Sequence, residues 1–154
     1  MIFMKKFLGI FIIIFTIFLL GCERQVEKEN EVLSKYNENK LLKVFKNEFP
    51  KRKVILCEAA DLTNDNIEDL IVIFKEEKET RMVVLVDSGD DVKYTNIVPA
   101  PIEDQSIKLK NIDNKDEMEF IVSGSKRGNI GYAIFRIENM KIVDLFGEGM
   151  DSCC

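Results

Sequence analysis

Histidine and tryptophan are both absent from this chain, and proline occurs only three times. Without histidine there is no imidazole to act as a base near neutral pH or to ligate a metal. A basic excess is also missing. Lys+Arg number 22 against 27 Asp+Glu, a net charge of −5. A nucleic-acid binder presents a basic face, so that class of partner falls away. Cysteine is scarce, at four residues: Cys22, Cys57, Cys153 and Cys154. Few side chains able to do chemistry remain.

What is present fits one folded domain. The 154 residues are 32% charged and 46% hydrophobic, ordinary globular values. The apolar content is skewed, however. Phe3, Phe7, Phe11, Phe15 and Phe18 all lie in the opening stretch "MIFMKKFLGIFIIIFTIFLLGC". Lys5 and Lys6 supply a positive start, an apolar run follows from Phe7 to Leu20, and Gly21 is the small residue before Cys22. That order reads as a secretory signal over residues 1–21. The alternative, an uncleaved membrane-spanning helix, has an apolar stretch that is a little short. A cysteine directly after Leu19-Leu20-Gly21 makes it a lipoprotein signal, with Cys22 as the lipidated residue. Diacylglycerol on the Cys22 thioether, with a further acyl group such as palmitate, is a stable anchor. The expected location is the extracytoplasmic face of the cell membrane. Loss of Lys5 and Lys6 with the signal lowers Lys+Arg from 22 to 20, so the mature net charge becomes −7.

Residues 22–30 read as the lipidated cysteine and a charged tether. Residues 31–49 carry Leu33, Tyr36, Leu41, Val44, Phe45 and Phe49 near a 3.6-residue period, so a helix is expected there, ending at Pro50. Eight strand-like runs follow: "KVILCEAA", "DLIVIFKE", "RMVVLVDS", "VKYTNIV", "SIKLKNI", "MEFIVSGS", "GYAIFRIE" and "KIVDLFGE". Their connections are short, so neighbours are expected to pair antiparallel. The fold class is mainly β with one N-terminal helix, within a single domain over 31–147.

An internal repeat runs through this region. "DLTNDNIEDLIVIF" (61–74) aligns with "NIDNKDEMEFIVSG" (111–124) at an offset of fifty. Each copy reads as strand, acidic loop, then three strands, which is a four-stranded, propeller-blade-like unit. The two repeats span about 53–98 and 106–147. Two units do not close a propeller, so face-to-face packing is expected, with the helix over an exposed side. The acidic loops resemble those of FG-GAP and VCBS-type repeats. The resemblance implies a calcium loop on Asp61, Thr63, Asp65 and Asp69, since oxygens at alternate positions converge on a hard cation. Asn66 stands where those repeats carry glycine. Lys115 replaces a ligand in the second copy, so no metal is expected there. The competing reading is that these Asp and Asn side chains close a tight turn on backbone N–H groups.

With Cys22 assigned to lipid, three thiols are left. Cys57, within "VILCEAA", reads as a small buried hydrophobe. Cys153 and Cys154 are the last two residues, behind "GEGMDS", whose glycines and serine suggest a flexible tail over 148–154. A disulfide between adjacent residues closes almost no loop and stabilises little. The pair therefore chelates a soft ion such as Hg, Cu(I) or Zn, shuttles between dithiol and disulfide, or has no role. Nearby negative charge raises the thiol pKa, which works against a redox nucleophile more than against metal capture.

The Leu19-Leu20-Gly21-Cys22 signal together with Cys153-Cys154 resembles the Cys-Cys-COOH (seleno)protein SaoC family. The resemblance covers the whole architecture, with a domain of about 130 residues between the two ends. It implies a lipoprotein of a selenocysteine-assisted organometallic system that handles mercury or related organometals. It also implies a membrane transporter and other thiol or selenol proteins as partners. On that basis the expected function is soft-metal binding and hand-over by Cys153 and Cys154, without catalysis. Two alternatives stay open: an extracytoplasmic thiol–disulfide exchange protein, and a calcium-stabilised β interaction domain.

Overall fold

A computed structural model describes residues 33–114 and 117–154. The signal over 1–21, Cys22, the tether to residue 30, Glu31 and Lys115 lie outside the described residues. Among the described residues no helix is long and apolar enough to cross a membrane. Residues Tyr36–Cys154 form one compact unit.

One helix, α1 (Lys40–Glu48), precedes nine strands: β1 (Lys53–Ala60), β2 (Asp69–Glu76), β3 (Glu79–Asp87), β4 (Val92–Tyr94), β5 (Val98–Pro99), β6 (Glu103–Leu109), β7 (Phe120–Lys126), β8 (Asn129–Glu138) and β9 (Lys141–Glu148). A final turn, α2 (Met150–Cys153), follows. The mainly β class is as expected. Three details differ. The helix expected over 31–49 is interrupted: Leu33 and Ser34 are helical, residues 35–38 turn, and a separate helix begins at Lys40. Asn39 sits outside helical geometry and its side chain accepts the Leu42 N–H at 3.0 Å, which caps the helix at that point. The run "VKYTNIV" is two strands. Thr95 Oγ1 accepts the Val84 N–H at 3.0 Å, where a ladder would offer a main-chain carbonyl, and pairing breaks off before resuming at β5. The strand read from Ser106 begins at Glu103 and ends at Leu109.

The strands form two antiparallel sheets, β1-β2-β3-β4 with β5 also on β3, and β6-β7-β8-β9. Their registers repeat at an offset of fifty. Cys57 faces Val72 and Ile107 faces Val122. Leu70 faces Leu85 and Phe120 faces Phe135. Leu85 faces Tyr94 and Phe135 faces Asp144.

Opposite faces of the two repeats meet. The shared core takes Ile71, Ile73, Met82, Val84 and Val86 from the first sheet, but Phe120, Val122, Ala133, Phe135 and Ile137 from the second. Side chains alternate along a strand, so Ile71 and its fifty-residue equivalent Ile121 point to opposite sides of the contact. The sheets are therefore stacked in the same sense, one behind the other. The first sheet's other face carries Leu70, Val72, Phe74 and Leu85, all fully buried. It receives Phe45 of α1, whose ring centroid lies 5.3 Å from that of Phe74. Lys40 at one end of α1 lies 3.2 Å from Asp87, and Glu48 at the other accepts from the Tyr94 hydroxyl at 2.5 Å. On the second sheet's other face Phe146 is 54% exposed beside Tyr132.

Cys57 is fully buried in β1, and burial pushes its thiol up to about 12. The α1 contact is what shields that side of the sheet. Phe45→Ala is expected to cost about 3–5 kcal/mol in chemical denaturation. It should also open Cys57 to alkylation at denaturant concentrations where the parent still protects it.

Candidate metal-binding site

The acidic loops come first, because sequence reasoning placed oxygen ligands there. Asp69 is fully buried at the head of β2. Its Oδ2 accepts the Leu62 N–H at 3.0 Å and the Thr63 hydroxyl at 3.4 Å, and its Oδ1 accepts the Asp87 N–H at 3.1 Å. Asp61 accepts the N–H groups of Asp65 and Asn66 at 3.1 and 2.8 Å, and Asp65 accepts that of Ile67 at 2.9 Å. Asn64 and Asn66 both take positive φ, 58° and 64°, the conformation Asn tolerates best after glycine. The carboxylates are thus turned onto backbone amides, as a turn-closing role requires.

The second loop repeats this wiring. Glu119 accepts the Ile112 N–H at 2.8 Å, fifty residues beyond the Asp69–Leu62 pair, and Asn114 takes φ 56° as Asn64 does. Here the buried acid also meets Arg136, whose Nε donates to it at 2.9 Å, and Arg136 bonds Asp113 as well. That arginine lines a polar cleft of about 370 Å³ with Thr63, Glu117, Ile137, Glu138, Asn139 and Met140. Its guanidinium is already held by carboxylates. Among the described residues no group of three or more Cys, Asp or Glu is arranged to hold a metal.

The thiol pair is not on a free tail. Gly124 of β7 and Gly131 of β8 face each other across the ladder. Neither has a side chain, so this end of the second sheet's inner face is recessed. Pro101 fills the recess over Gly124, where a Cβ would lie 2.4 Å from the proline's own Cβ. The Cys153 sulfur fills it over Gly131, where a Cβ would lie 2.7 Å from Sγ. The Ile102 N–H donates to the Cys153 carbonyl at 3.1 Å, and Lys126 Nζ donates to the Cys154 main-chain oxygen at 2.8 Å. Gly149 turns the chain into α2 at φ 69°, with no room for a Cβ against the Ile130 carbonyl. The flexible tail expected over 148–154 is therefore a docked turn, and Cys153 is fully buried.

Docking brings three sulfurs together. Cys153 Sγ lies 3.6 Å from Cys154 Sγ and 3.7 Å from Met150 Sδ. Cys154 is half-buried. Desolvation, followed by the neighbouring Cys153, pushes its thiol up to about 12, while Lys126 pulls the other way. Sequence reasoning found both cysteines but missed Met150 and the glycine recess. The available signal was glycine inside two strand patterns, "VSGS" and "NIGY", which marks close approach of another chain segment.

No protein-family model, no curated protein and no solved structure matches the chain.

Two outcomes follow from this geometry. Gly131→Ala should displace the turn, so that alkylation of Cys153 in the native protein approaches the rate of Cys154. Unchanged protection of Cys153 would contradict the recess. For Asp69, burial outweighs its amide bonds and pushes the carboxyl from 3.8 up to about 6. Between those values the folded state holds a proton that the unfolded chain has lost, so this group's contribution to stability falls as pH rises through the window. Melting of the parent relative to Asp69→Asn should therefore drop as pH rises from 3.8 to about 6.

Proposed function

We propose that this protein is a membrane-anchored carrier of a soft metal or organometal. Cys22 would hold it by lipid at the extracytoplasmic face, and Cys153 and Cys154 would bind the cargo as a dithiolate. The observation that supports this is the 3.6 Å separation of two reduced thiols on one docked turn. Thiolate sulfur prefers soft, polarizable cations such as Hg(II), Cu(I) or an alkylmercury ion. The half-exposed Cys154 gives an incoming thiol or selenol an atom to attack, so cargo leaves by ligand exchange while Cys153 stays buried. A membrane transporter and other thiol or selenol proteins of a selenocysteine-assisted organometallic system are the partners this reading calls for. It follows the resemblance to the SaoC family.

The raised Cys154 thiol favours carriage over thiol–disulfide exchange, since exchange needs thiolate at ambient pH and metal binding displaces the proton itself. The blade-like reading of the repeats belongs to the same proposal. Same-sense stacking of antiparallel meanders is how neighbouring propeller blades pack, and here the stack serves as the rigid mount for the turn.

The test is a titration of the reduced, anaerobic chain with Hg(II) and methylmercury against glutathione. One Hg(II) per chain should be retained, and the Cys153→Ser, Cys154→Ser double variant should lose it. Equal retention in the double variant would end the proposal, with Cys57→Ser as the check on residual binding.

A further inference from the structure

The α2 turn brings a third sulfur, Met150 Sδ, to 3.7 Å from Cys153 Sγ. We infer that Met150 completes a three-sulfur site with Cys153 and Cys154, and that this site takes a monovalent soft cation, Cu(I). The inference rests on the dithiol reading above and adds a ligand and a cargo class to it.

Three observations carry it. First, Met150 Sδ lies 3.7 Å from Cys153 Sγ, and Met150 and Cys154 are already joined by the Cys154 N–H to Met150 carbonyl bond of 3.1 Å. All three sulfurs thus belong to one hydrogen-bonded turn, and Met150 is partly buried against the shared core. Second, the thiol spacing is that of a bent site. On an ion with metal–sulfur bonds of about 2.3 Å, sulfurs 3.6 Å apart subtend roughly 100°. A linear two-coordinate ion would need them about 4.6 Å apart, twice that bond length. A bent pair leaves one side of the ion open, and the thioether is the donor at hand. Third, the donor set is selective. Thioether sulfur is a neutral, soft ligand that joins thiolates on Cu(I), whereas zinc sites are built from Cys, His and carboxylate ligands.

Charge agrees with a monovalent ion. Cu(I) with two thiolates and one thioether carries a net −1, as two thiol protons leave. The Lys126 ammonium, bonded to the Cys154 oxygen at 2.8 Å, stands next to that charge.

The experiment uses the full chain in detergent, reduced and anaerobic. Cu(I) affinity is measured by competition with a chromophoric cuprous chelator, and Hg(II) affinity in parallel, for the parent, Met150→Leu and the double Ser variant. Leu is close to Met in volume, so the turn should stay docked. Met150→Leu is expected to weaken Cu(I) at least tenfold and to change Hg(II) less than twofold. X-ray absorption on the Cu(I)-loaded parent should show three sulfurs, and on the variant two. Unchanged Cu(I) affinity in Met150→Leu, or a two-sulfur shell in the parent, would overturn the inference. Hg(II) binding without Cu(I) binding would overturn it alone. Binding of neither metal would overturn the dithiol reading as well.

Discussion

Ile71, Ile73, Met82 and Val84 on one sheet meet Phe120, Val122, Ala133 and Phe135 on the other. Each Ile, Val, Met or Phe side chain among them is worth about 1.5–3 kcal/mol once removed from water. A surface ion pair such as Lys40–Asp87 is worth about 0–1 kcal/mol. The apolar contact therefore decides how the sheets sit, and the polar groups accommodate it. Because the two repeats offer opposite faces, the stack has two unlike ends. One end is covered by α1. The other leaves Tyr132 and Phe146 partly exposed.

The buried acids fit inside that frame. Asp69 and Glu119 hold their loops by the same amide bond fifty residues apart, to Leu62 and Ile112. In the first repeat the carboxylate is satisfied by two amides and a hydroxyl. In the second a longer side chain keeps the Ile112 amide and meets Arg136, so a charge stands in for the other donors. The same loop geometry survives a change of electrostatics because the donor it must satisfy is a backbone N–H.

Much of this was legible in the residues. The fifty-residue offset in "DLTNDNIEDL" and "NIDNKDEMEF" carries straight into strand register, since a slip of one residue would turn every buried side chain outward. Asn66, standing where the similar repeats carry glycine, takes the left-handed backbone that the position calls for, whereas the same conformation at Asn64 and Asn114 was not read from the sequence. The start of α1 was harder, because apolar spacing upstream of Asn39 continued the helical period while the Asn side chain capped the helix there. The docked turn was not legible. Glycines in "GEGMDS" suggested freedom, yet Gly149 serves a tight turn. The recess exists only because Gly124 and Gly131 fall opposite each other, a fact of register between two strands. Met150 became a candidate only once that turn placed its sulfur beside Cys153.

The central claim is that Cys153 and Cys154 act as one docked metal-binding pair. The most direct measurement is maleimide labelling of the reduced native chain, with Cys57, Cys153 and Cys154 quantified separately by mass spectrometry, before and after one equivalent of Hg(II). Without metal, Cys154 should label first and Cys153 slowly. With metal, Cys154 should become protected as well, while Cys57 is unchanged. Equal, rapid labelling of Cys153 and Cys154 that one equivalent of metal does not slow would contradict the account.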